Sequence, residues 1–327
     1  MRILLITTLI CLAGAASAEP VPYGGETVSF RALPAIVDPG ALDPQVRYVG
    51  GYEITAHGTS QVDGLSDLQI YPDGDVLKVE AISDLGAGVT FTLAPDGKGG
   101  LADSPVKIEL LRDAEGHTSI SRDFNDAEDI AVNPATGEKF VSFERFQRVM
   151  AYAPGTAWGG TPRQLPLSGL PVFPNNEGME GLSFVHDAAG DGKVGGDSLL
   201  IGVEAGGFWR CPTTTFACRP VDGPGVPGFL YMLSSLAPLP DDDHAILGLY
   251  RYYDPFTGPR NVVRLMRLQG DTLVKVIDLA RIAPPLPYDN YEGVAAVKTA
   301  TGYRLYLICD GLHDSDKPKI LMFDWTK

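Results

Sequence analysis

The chain has 327 residues, 44% of them hydrophobic, and a formal net charge of −15 at pH 7. This acidic excess excludes nucleic acid and anionic membrane surfaces as favoured partners, because both would repel it, and it favours cations. Glycine (38) and proline (26) are spread along the chain, as is typical of many short strands joined by turns.

The first residues have the pattern of an export signal. Arg2 precedes a short apolar stretch, and the small residues Ala16-Ser17-Ala18 suit signal peptidase. We predict a signal peptide at 1–18, an N-terminal extended segment at 19–44 and one domain at 45–327. No later apolar run approaches the roughly 20 residues that a membrane helix needs. We therefore expect a periplasmic or secreted protein without membrane insertion.

Three cysteines follow the predicted cleavage site. Cys211 and Cys218 enclose a small loop, CPTTTFAC, so a local disulfide is the favoured interpretation in an oxidising compartment. A metal site is the alternative, but no other Cys or His lies near this loop in the sequence. Cys309 lies in the apolar run LYLICD, which predicts a buried free thiol.

A repeated unit organises the chain. Each unit opens with a polar residue, a small or acidic residue and an aliphatic one, and a second apolar run follows after a turn. The opening segments are DGLSDL (63–68), EDIAVN (128–133), EGLSFV (180–185), SSLAPL (234–239) and EGVAAV (292–297). Few segments have helical periodicity, so the sequence predicts an all-β chain.

The unit suits a four-stranded antiparallel blade of a β-propeller. The last unit, from Glu292, has residues for only three strands, whereas the segment RYVGGYEITA (47–56) precedes the first unit without a partner. Pairing the two would close the ring and remove exposed sheet edges. We predict five blades closed by this N-terminal strand, or six if the long first interval contains a degenerate unit.

Carboxylates recur at two positions of the repeat. In a propeller, matching positions of the blades form a ring around the axis, so two stacked rings would face one cavity. The first column is Asp63, Glu128, Glu180, Ser234 and Glu292, and the second is Asp84, Glu144, Glu204, Tyr250 and Asp310. Clustered carboxylates must raise their pKa values or recruit cations, and oxygen-only ligands indicate calcium before magnesium.

Other residues are expected at the mouth of this cavity. Glu177 precedes Glu180 on a connecting loop, and Arg145 and Arg251 follow the second column. Each guanidinium could pair with the carboxylates or hold an anionic oxygen of a substrate. Tyr250, which precedes Arg251, is expected to contact the substrate as well. A structural role for the carboxylates stays open, because inner-strand carboxylates also accept backbone N–H bonds from the next blade.

Several of these segments together resemble one known family. DGLSDLQIYPDG, AISDLG, DAEDIAVNPATGEKFVSFER, NNEGMEGLSF, DNYEGVAAV and YLICD, in this order, are similar to the phytase-like β-propeller family with esterase-like activity. The resemblance covers roughly residues 45–325 and implies an exported propeller treated as a phosphoesterase. It supplies no catalytic set, and the chain departs from the family pattern at Tyr250 and after Asp310.

Two functions follow from this sequence. The first is a calcium-dependent hydrolase of phosphoesters or carboxylic esters that acts on a small molecule as a monomer. The second is a non-catalytic propeller that binds a small molecule, glycan or protein at the channel mouth. The chain lacks a GxSxG nucleophile motif, and its five histidines have no metal-ligand spacing. No catalytic residue is assigned.

Overall fold

A computed structural model describes most of the chain. The predicted signal segment 1–18 and the glycine-rich loop 187–195 lie outside the described residues. The described ranges are 25–34, 36–59, 61–119, 121–174, 177–186, 196–204, 206–311 and 317–327.

The regular structure of the described residues is almost entirely β-strand, with one four-residue helix, α1 (Arg122–Asn125), and a 3-10 turn at Pro39–Ala41. The N-terminal strands are β1 (Thr27–Ala32) and β2 (Val46–His57). The first unit contributes β3 (Leu65–Asp73), β4 (Val76–Ser83), β5 (Ala87–Leu93), β6 (Ser104–Pro105) and β7 (Lys107–Leu110). The second contributes β8 (Ala127–Val132), β9 (Lys139–Phe143), β10 (Arg148–Tyr152) and β11 (Arg163–Gln164). The third contributes β12 (Met179–Val185), β13 (Ser198–Val203), β14 (Phe208–Pro212) and β15 (Arg219–Val221). The fourth contributes β16 (Tyr231–Leu239), β17 (Asp242–Tyr252), β18 (Arg260–Gln269) and β19 (Thr272–Ile282). The fifth contributes β20 (Tyr291–Thr299), β21 (Gly302–Cys309) and β22 (Lys319–Thr326).

Each unit is one antiparallel sheet whose strands pair in sequence order. The first four sheets are β3-β4-β5-β7, β8 to β11, β12 to β15 and β16 to β19. The fifth joins β20, β21 and β22 to the N-terminal strands. The prediction of an all-β propeller with five blades is confirmed. The long first interval contains the outer strands and α1, and its described residues form no sixth blade.

The ring is closed by the N-terminal strand, as predicted. Strand β2 pairs antiparallel with β22, and the register places Tyr52 opposite Ile320. Strand β1 then pairs with β2, and β6 of the first unit pairs with β1. Residues 27–32, within the segment expected to be merely extended, therefore add a strand to the closing sheet and link the first and last units.

The hydrophobic core lies between neighbouring blades. Five buried clusters fill the five interfaces, and each combines side chains of two adjacent sheets. At the interface of the first and second blades, for example, Ile82 and Leu111 pack with Ile130, Phe143 and Trp158. Burial of this apolar surface joins the blades, at roughly 25 cal/mol per Å² removed from water.

All five inner strands bulge near their first residues. The pairing register shifts after Leu65, Ala127, Met179, Leu233 and Tyr291. A bulge leaves one or more residues unpaired and re-aims their side chains. The five blades therefore present bulged residues at the same end of the propeller axis.

Next to the bulged residues Ser66 and Glu128, two buried aspartates close the centre of the ring. Asp129 Oδ2 accepts the N–H of Leu182 at 2.7 Å and of Leu236 at 2.8 Å, and Asp67 Oδ2 accepts the N–H of Ile130 at 3.0 Å. These donors belong to the inner strands of the second, third and fourth blades. Asp67 and Asp129 also hydrogen-bond to each other, and burial raises the pKa of Asp67 to about 7. We call this pair the axial plug.

The predicted disulfide is confirmed, since Cys211 of β14 is bonded to Cys218. Cys309 is a buried free thiol, as expected. Among the described residues, no helix is long and apolar enough to cross a membrane.

Candidate metal centre

The second strand of each blade delivers one charged side chain to the same end of the axis. Five residues lie opposite the position after which the inner strand bulges: Ser83, Phe143, Val203, Tyr250 and Cys309. The next residue in each blade completes the outer ring, which is Asp84, Glu144, Glu204, Arg251 and Asp310.

The bulges deliver a second, inner ring. The unpaired residues at matching positions are Ser66, Glu128, Glu180, Ser234 and Glu292. Carboxylates from separate units thus converge as expected. We define the acidic cluster as Asp84, Asp126, Glu128, Glu144, Glu180, Glu204, Glu292 and Asp310.

The register corrects the position of Asp63. Sequence alignment matched it with Glu128 and Glu180, but the bulge of β3 lies at Ser66, three residues later. Asp63 precedes the strand, and its carbonyl accepts the Ser83 hydroxyl at 2.8 Å. The inner ring therefore has a serine in the first blade as well as in the fourth.

The assignment of Tyr250 to the mouth is also wrong. Its side chain is fully buried in the core between the third and fourth blades, and its hydroxyl donates to Met266 Sδ at 3.4 Å. Successive side chains of a strand point to opposite faces, so Arg251, the next residue, faces the axis instead. The outer ring therefore contains the cation Arg251 in the fourth blade, where the sequence predicted the uncharged Tyr250.

The inner glutamates Glu128 and Glu180 are buried, Glu292 is half-buried, and the three repel each other. Burial, and then the neighbouring carboxylates, raise the pKa of Glu128 well above its usual value. Burial likewise raises the pKa of Glu180 and Glu292, although Arg251 opposes the shift. Each negative charge in this cluster lacks full solvation, so a cation would stabilise it.

Two groups of three carboxylates have a geometry that fits a metal ion. One oxygen each from Asp126, Glu128 and Glu144 lies within 4.8 Å of the other two, and the same holds for Glu144, Glu180 and Glu204. Glu144 belongs to both groups. Burial raises its pKa to about 7, with Asp126 and Glu204 contributing and the N–H of Gly178 opposing. An all-oxygen donor set of this kind suits a hard cation.

Arg251 is a cation that interacts with the glutamates of both rings. It forms an ion pair and a hydrogen bond with Glu204, and its side chain is 27% exposed. Burial lowers its pKa, but Glu292, Glu180 and Glu204 together raise it above the usual value. The guanidinium is therefore charged and compensates part of the cluster.

Two more arginines lie at the edge of the cluster. Arg145 Nε is 2.7 Å from Asp126 Oδ2 and its Nη1 donates to Asp123 at 3.1 Å. Arg122 Nη2 donates to Asp84 Oδ2 at 2.8 Å, while burial raises the pKa of Asp84 to about 6. The two arginines predicted to bind substrate, Arg145 and Arg251, thus both contact carboxylates of the cluster.

Glu177 lies where the loop enters the third blade, but it is exposed. Its charge contributes to the raised pKa of Glu204, after burial, so it stands close to the cluster. It is not part of either carboxylate group.

Sequence reasoning missed four residues of this end of the axis. Asp126 stands two residues before Glu128, and Asn290 Nδ2 donates to Glu292 Oε1 at 2.6 Å. The sequence DAED contains the signal for Asp126, because alternate residues of a strand share a face. Asp67 and Asp129 of the axial plug carried no such signal, because the bulges of β3 and β8 turn them toward the axis.

The chain matches one known protein family over most of its length. The model of the Phytase-like family, described as esterase-like activity of phytase, matches residues 60–311. The chain belongs to this family. No curated protein sequence matches it significantly.

Solved structures match the chain only at low identity and with TM-scores below 0.5. A thermostable family-43 glycoside hydrolase has 8% identity and a TM-score of 0.44, over 81% of this chain and 91% of that one. The GH43 protein BlXynB from Bacillus licheniformis has 12% identity and a TM-score of 0.42, over 79% and 50%. Hydrazine synthase from Kuenenia stuttgartiensis has 11% identity and a TM-score of 0.38, over 77% and 57%. The chain thus spans only about half the length of the last two.

Proposed function

We propose that the protein is an exported hydrolase of phosphoesters or carboxylic esters whose acidic cluster holds calcium. The observation that carries the proposal is Glu144, which is shared by two groups of three buried carboxylates. The family description and the all-oxygen donor set support it. The predicted signal segment and the Cys211–Cys218 disulfide support export, because disulfides persist outside the cytoplasm.

The residues that would hold calcium are Asp126, Glu128, Glu144, Glu180 and Glu204. Bound calcium would neutralise charge on a phosphate or polarise an ester oxygen. Glu292 and Asp310 extend the negative field on the opposite side, where Asn290 donates to both. In this proposal the reacting group would lie over the axis, at the calcium.

The arginines would orient an anionic substrate. Arg145 is 27% exposed and retains donors beyond its contacts with Asp123 and Asp126, so it can reach an oxygen of a ligand. Arg251 lies deeper, against Glu204. It would offset the charge that develops as the ester bond is cleaved.

Calcium binding is tested first on stability. An ion that binds only the folded state stabilises it by mass action, by about 2.7 kcal/mol at 100 times its dissociation constant. We expect calcium to raise the melting temperature of the wild type but not of Glu144→Gln. Without calcium, Glu144→Gln should be at least as stable as the wild type, because one repelling charge is removed.

A matched control is Glu138→Gln, which removes the same charge from a surface pair with Arg163. This variant should keep the full calcium response. An unchanged response in Glu144→Gln would remove the cluster as the calcium site.

Hydrolysis is tested on a panel of phosphomonoesters and carboxylic esters, with calcium and with a chelator. Calcium-dependent turnover supports the proposal, and turnover that survives exhaustive chelation contradicts it. Retained calcium binding without turnover on any substrate favours the second function, a propeller that binds its ligand without catalysis.

A further inference from the structure

A cleft of about 470 Å³ opens beside the acidic cluster. Its walls include Phe124, Phe146, Val172, Phe173, Arg145 and Arg148. Arg145 belongs to both features, because its Nε is 2.7 Å from Asp126 Oδ2 of the cluster. The cleft and the acidic end of the axis are therefore continuous.

One wall of the cleft is an exposed aromatic stack. The rings of Phe124 and Phe146 lie 4.2 Å apart between centroids, at an angle of 14°. Phe124 is 47% exposed, Phe146 is 49% exposed and Val172, on the facing loop, is 95% exposed. Contiguous apolar groups left in water at the border of a polar site mark a binding surface.

Both walls are fixed in place by side chains that are not themselves apolar. Arg148 donates to the carbonyl of Phe146 at 2.9 Å and to the carbonyl of Phe124, so one guanidinium holds the two stacked residues together. On the other wall, Gln147 donates to the carbonyl of Phe173 at 2.9 Å and accepts its N–H at 3.2 Å. A preformed cleft binds with a small ordering cost.

The charges around the cleft are also informative. Arg148 is occupied by backbone carbonyls and forms no ion pair with any described residue, and Arg145 lines the side next to the cluster. Asp113 and Glu115 line the outer edge. Arg145 is thus the cation on the inner side of the cleft, and an anionic group would point inward, toward Arg145 and the cation that the acidic cluster would hold.

We infer that this cleft is the subsite for a flat aryl group of the substrate, an aryl phosphoester or aryl carboxylic ester. The inference rests on the proposed function, because the ester group would lie at the acidic cluster. Phe124 is two residues before Asp126, and Phe146 is two residues after Glu144. An ester attached directly to a ring on this stack therefore needs no long spacer to reach the carboxylates.

The geometry selects an aryl group over a branched alkyl group. A flat ring can extend the stack of Phe124 and Phe146 face to face or pack edge-on against it, and such contacts add to the burial of apolar area. Val172 and Phe173 would cover its other side. A methyl ester or methyl phosphate would leave the cleft empty.

The test is a comparison of phenylphosphonate with methylphosphonate, which have the same anionic group and no hydrolysable ester. With calcium present, calorimetry should give a dissociation constant about tenfold or more lower for phenylphosphonate in the wild type. Phe124→Ala and Phe146→Ala should each remove most of this preference and leave the methylphosphonate constant unchanged. The matched control is Phe256→Ala, a 94% exposed phenylalanine of the β17–β18 connection, which should retain the preference.

Equal affinity for the two phosphonates, or an unchanged preference in both Phe variants, overturns the subsite, and so does failure of both probes to bind. The proposed function fails separately. If methyl and phenyl phosphates are hydrolysed with equal kcat/KM in the presence of calcium, the subsite is wrong and the hydrolase stands. If phenylphosphonate binds selectively but nothing is hydrolysed, the subsite stands and catalysis is wrong.

Discussion

Arg251 and Asp84 show how single residues set the chemistry of the acidic cluster. Arg251 compensates the inner glutamates from the fourth blade, where the other blades have acids. Asp84 is held by Arg122 through one oxygen, while its Oδ1 is buried without a hydrogen-bond partner. The first residue limits the repulsion, and the second retains a free acceptor.

Replacing Arg251 should have opposite effects on stability and on calcium binding. Arg251→Gln leaves Glu204 and the inner glutamates uncompensated, so we expect a loss of about 3 kcal/mol in the calcium-free free energy of unfolding at pH 8. Calcium should bind more tightly to the variant, because a competing positive charge is absent. Chemical denaturation and calcium titration measure the two effects.

The control is Arg281→Gln, which changes an exposed partner of Asp278 and should alter stability by about 0.5 kcal/mol or less. Weaker calcium binding in Arg251→Gln would show that the guanidinium supports the ion site and does not compete with it.

If the protein hydrolyses esters as proposed, we expect Asp84 to accept a proton in that reaction, because its Oδ1 is buried without a hydrogen-bond partner. Burial raises its pKa to about 6, with Asp126 and Asp310 adding and Arg122 opposing, and an efficient general base has a pKa near the working pH. Asp84→Asn should lower kcat about 100-fold or more and keep the calcium-induced rise in melting temperature. In the wild type, kcat should fall as the pH drops below about 6, because the carboxylate becomes protonated. An unchanged kcat in the variant would exclude this role.

At the scale of the strands, the axial plug explains how the inner strands are held around the axis. A single carboxylate, Asp129, accepts N–H groups from β12 and β16. In the third and fifth blades, the residues after the bulged glutamates are Gly181 and Gly293. The second and first blades have Asp129 and Asp67 at the matching positions. A Cβ at Gly293 would lie 2.6 Å from Asp67 Cα, so the centre has no room for another side chain. The acid-glycine pairs EG at 180–181 and 292–293 thus reflect the plug as well as the cluster.

The plug should make stability depend on pH in a definite direction. Burial raises the pKa of Asp67 to about 7 and that of Asp129 well above its usual value, so the folded chain holds protons that the unfolded chain releases above about pH 4. The stabilisation from this pair is complete below about pH 4 and is lost as the pH rises toward 7. The carboxylate of Asp129 faces Asp67 and the N–H groups of Leu182 and Leu236, and Ser235 hydrogen-bonds to Asp67. The Ser142 hydroxyl accepts the backbone N–H of Asp129 at 3.1 Å.

Asp129→Asn tests this directly, because an amide replaces the protonated carboxyl without taking up a proton. Relative to the wild type in chelator, the variant should gain up to about 1.4 kcal/mol in free energy of unfolding per pH unit between pH 5 and pH 7. Denaturation at pH 5 and pH 7 measures the difference. A difference that does not vary with pH would show that the pair is ionised in the folded protein.

At the scale of the whole molecule, closure of the ring depends on strand β2 against β22. Gly51 lies where the two strands are closest: a Cβ there would meet Leu321 Cδ2 at 2.5 Å and the carbonyl oxygen of Ile320 at 3.2 Å. Gly50, the neighbouring residue, would meet only Met322 Cε at 3.9 Å. Substituting each glycine in turn therefore distinguishes the effect of close packing at Gly51 from the effect of merely replacing a glycine, as at Gly50.

Gly51→Ala should therefore lower the free energy of unfolding by about 2 kcal/mol, because the closing strand must shift to accept the extra methyl group. Gly50→Ala should change it by about 0.5 kcal/mol or less. Denaturant titration of the two variants checks the difference. Equal effects would mean that the closure yields without cost.

Much of the architecture follows from local features of the sequence. The alternation of apolar residues, the turn residues and the incomplete last unit predict the blades and the closing strand, because these signals act between residues close in the chain. The columns containing Glu128, Glu180 and Glu292 were predictable for the same reason. The CPTTTFAC loop likewise defined its disulfide.

Only the tertiary structure decided the register at the axis. A bulge shifts each inner strand relative to its partner, and a shift of one residue turns a side chain to the other face. The register in the folded protein therefore places Ser66 in the inner ring, where the sequence predicted Asp63. It also places Arg251 in the outer ring, where the sequence predicted Tyr250. Local patterns do not contain this information, because the shift is fixed by N–H groups of one blade that bind the carboxylates of another, as at Asp67 and Asp129.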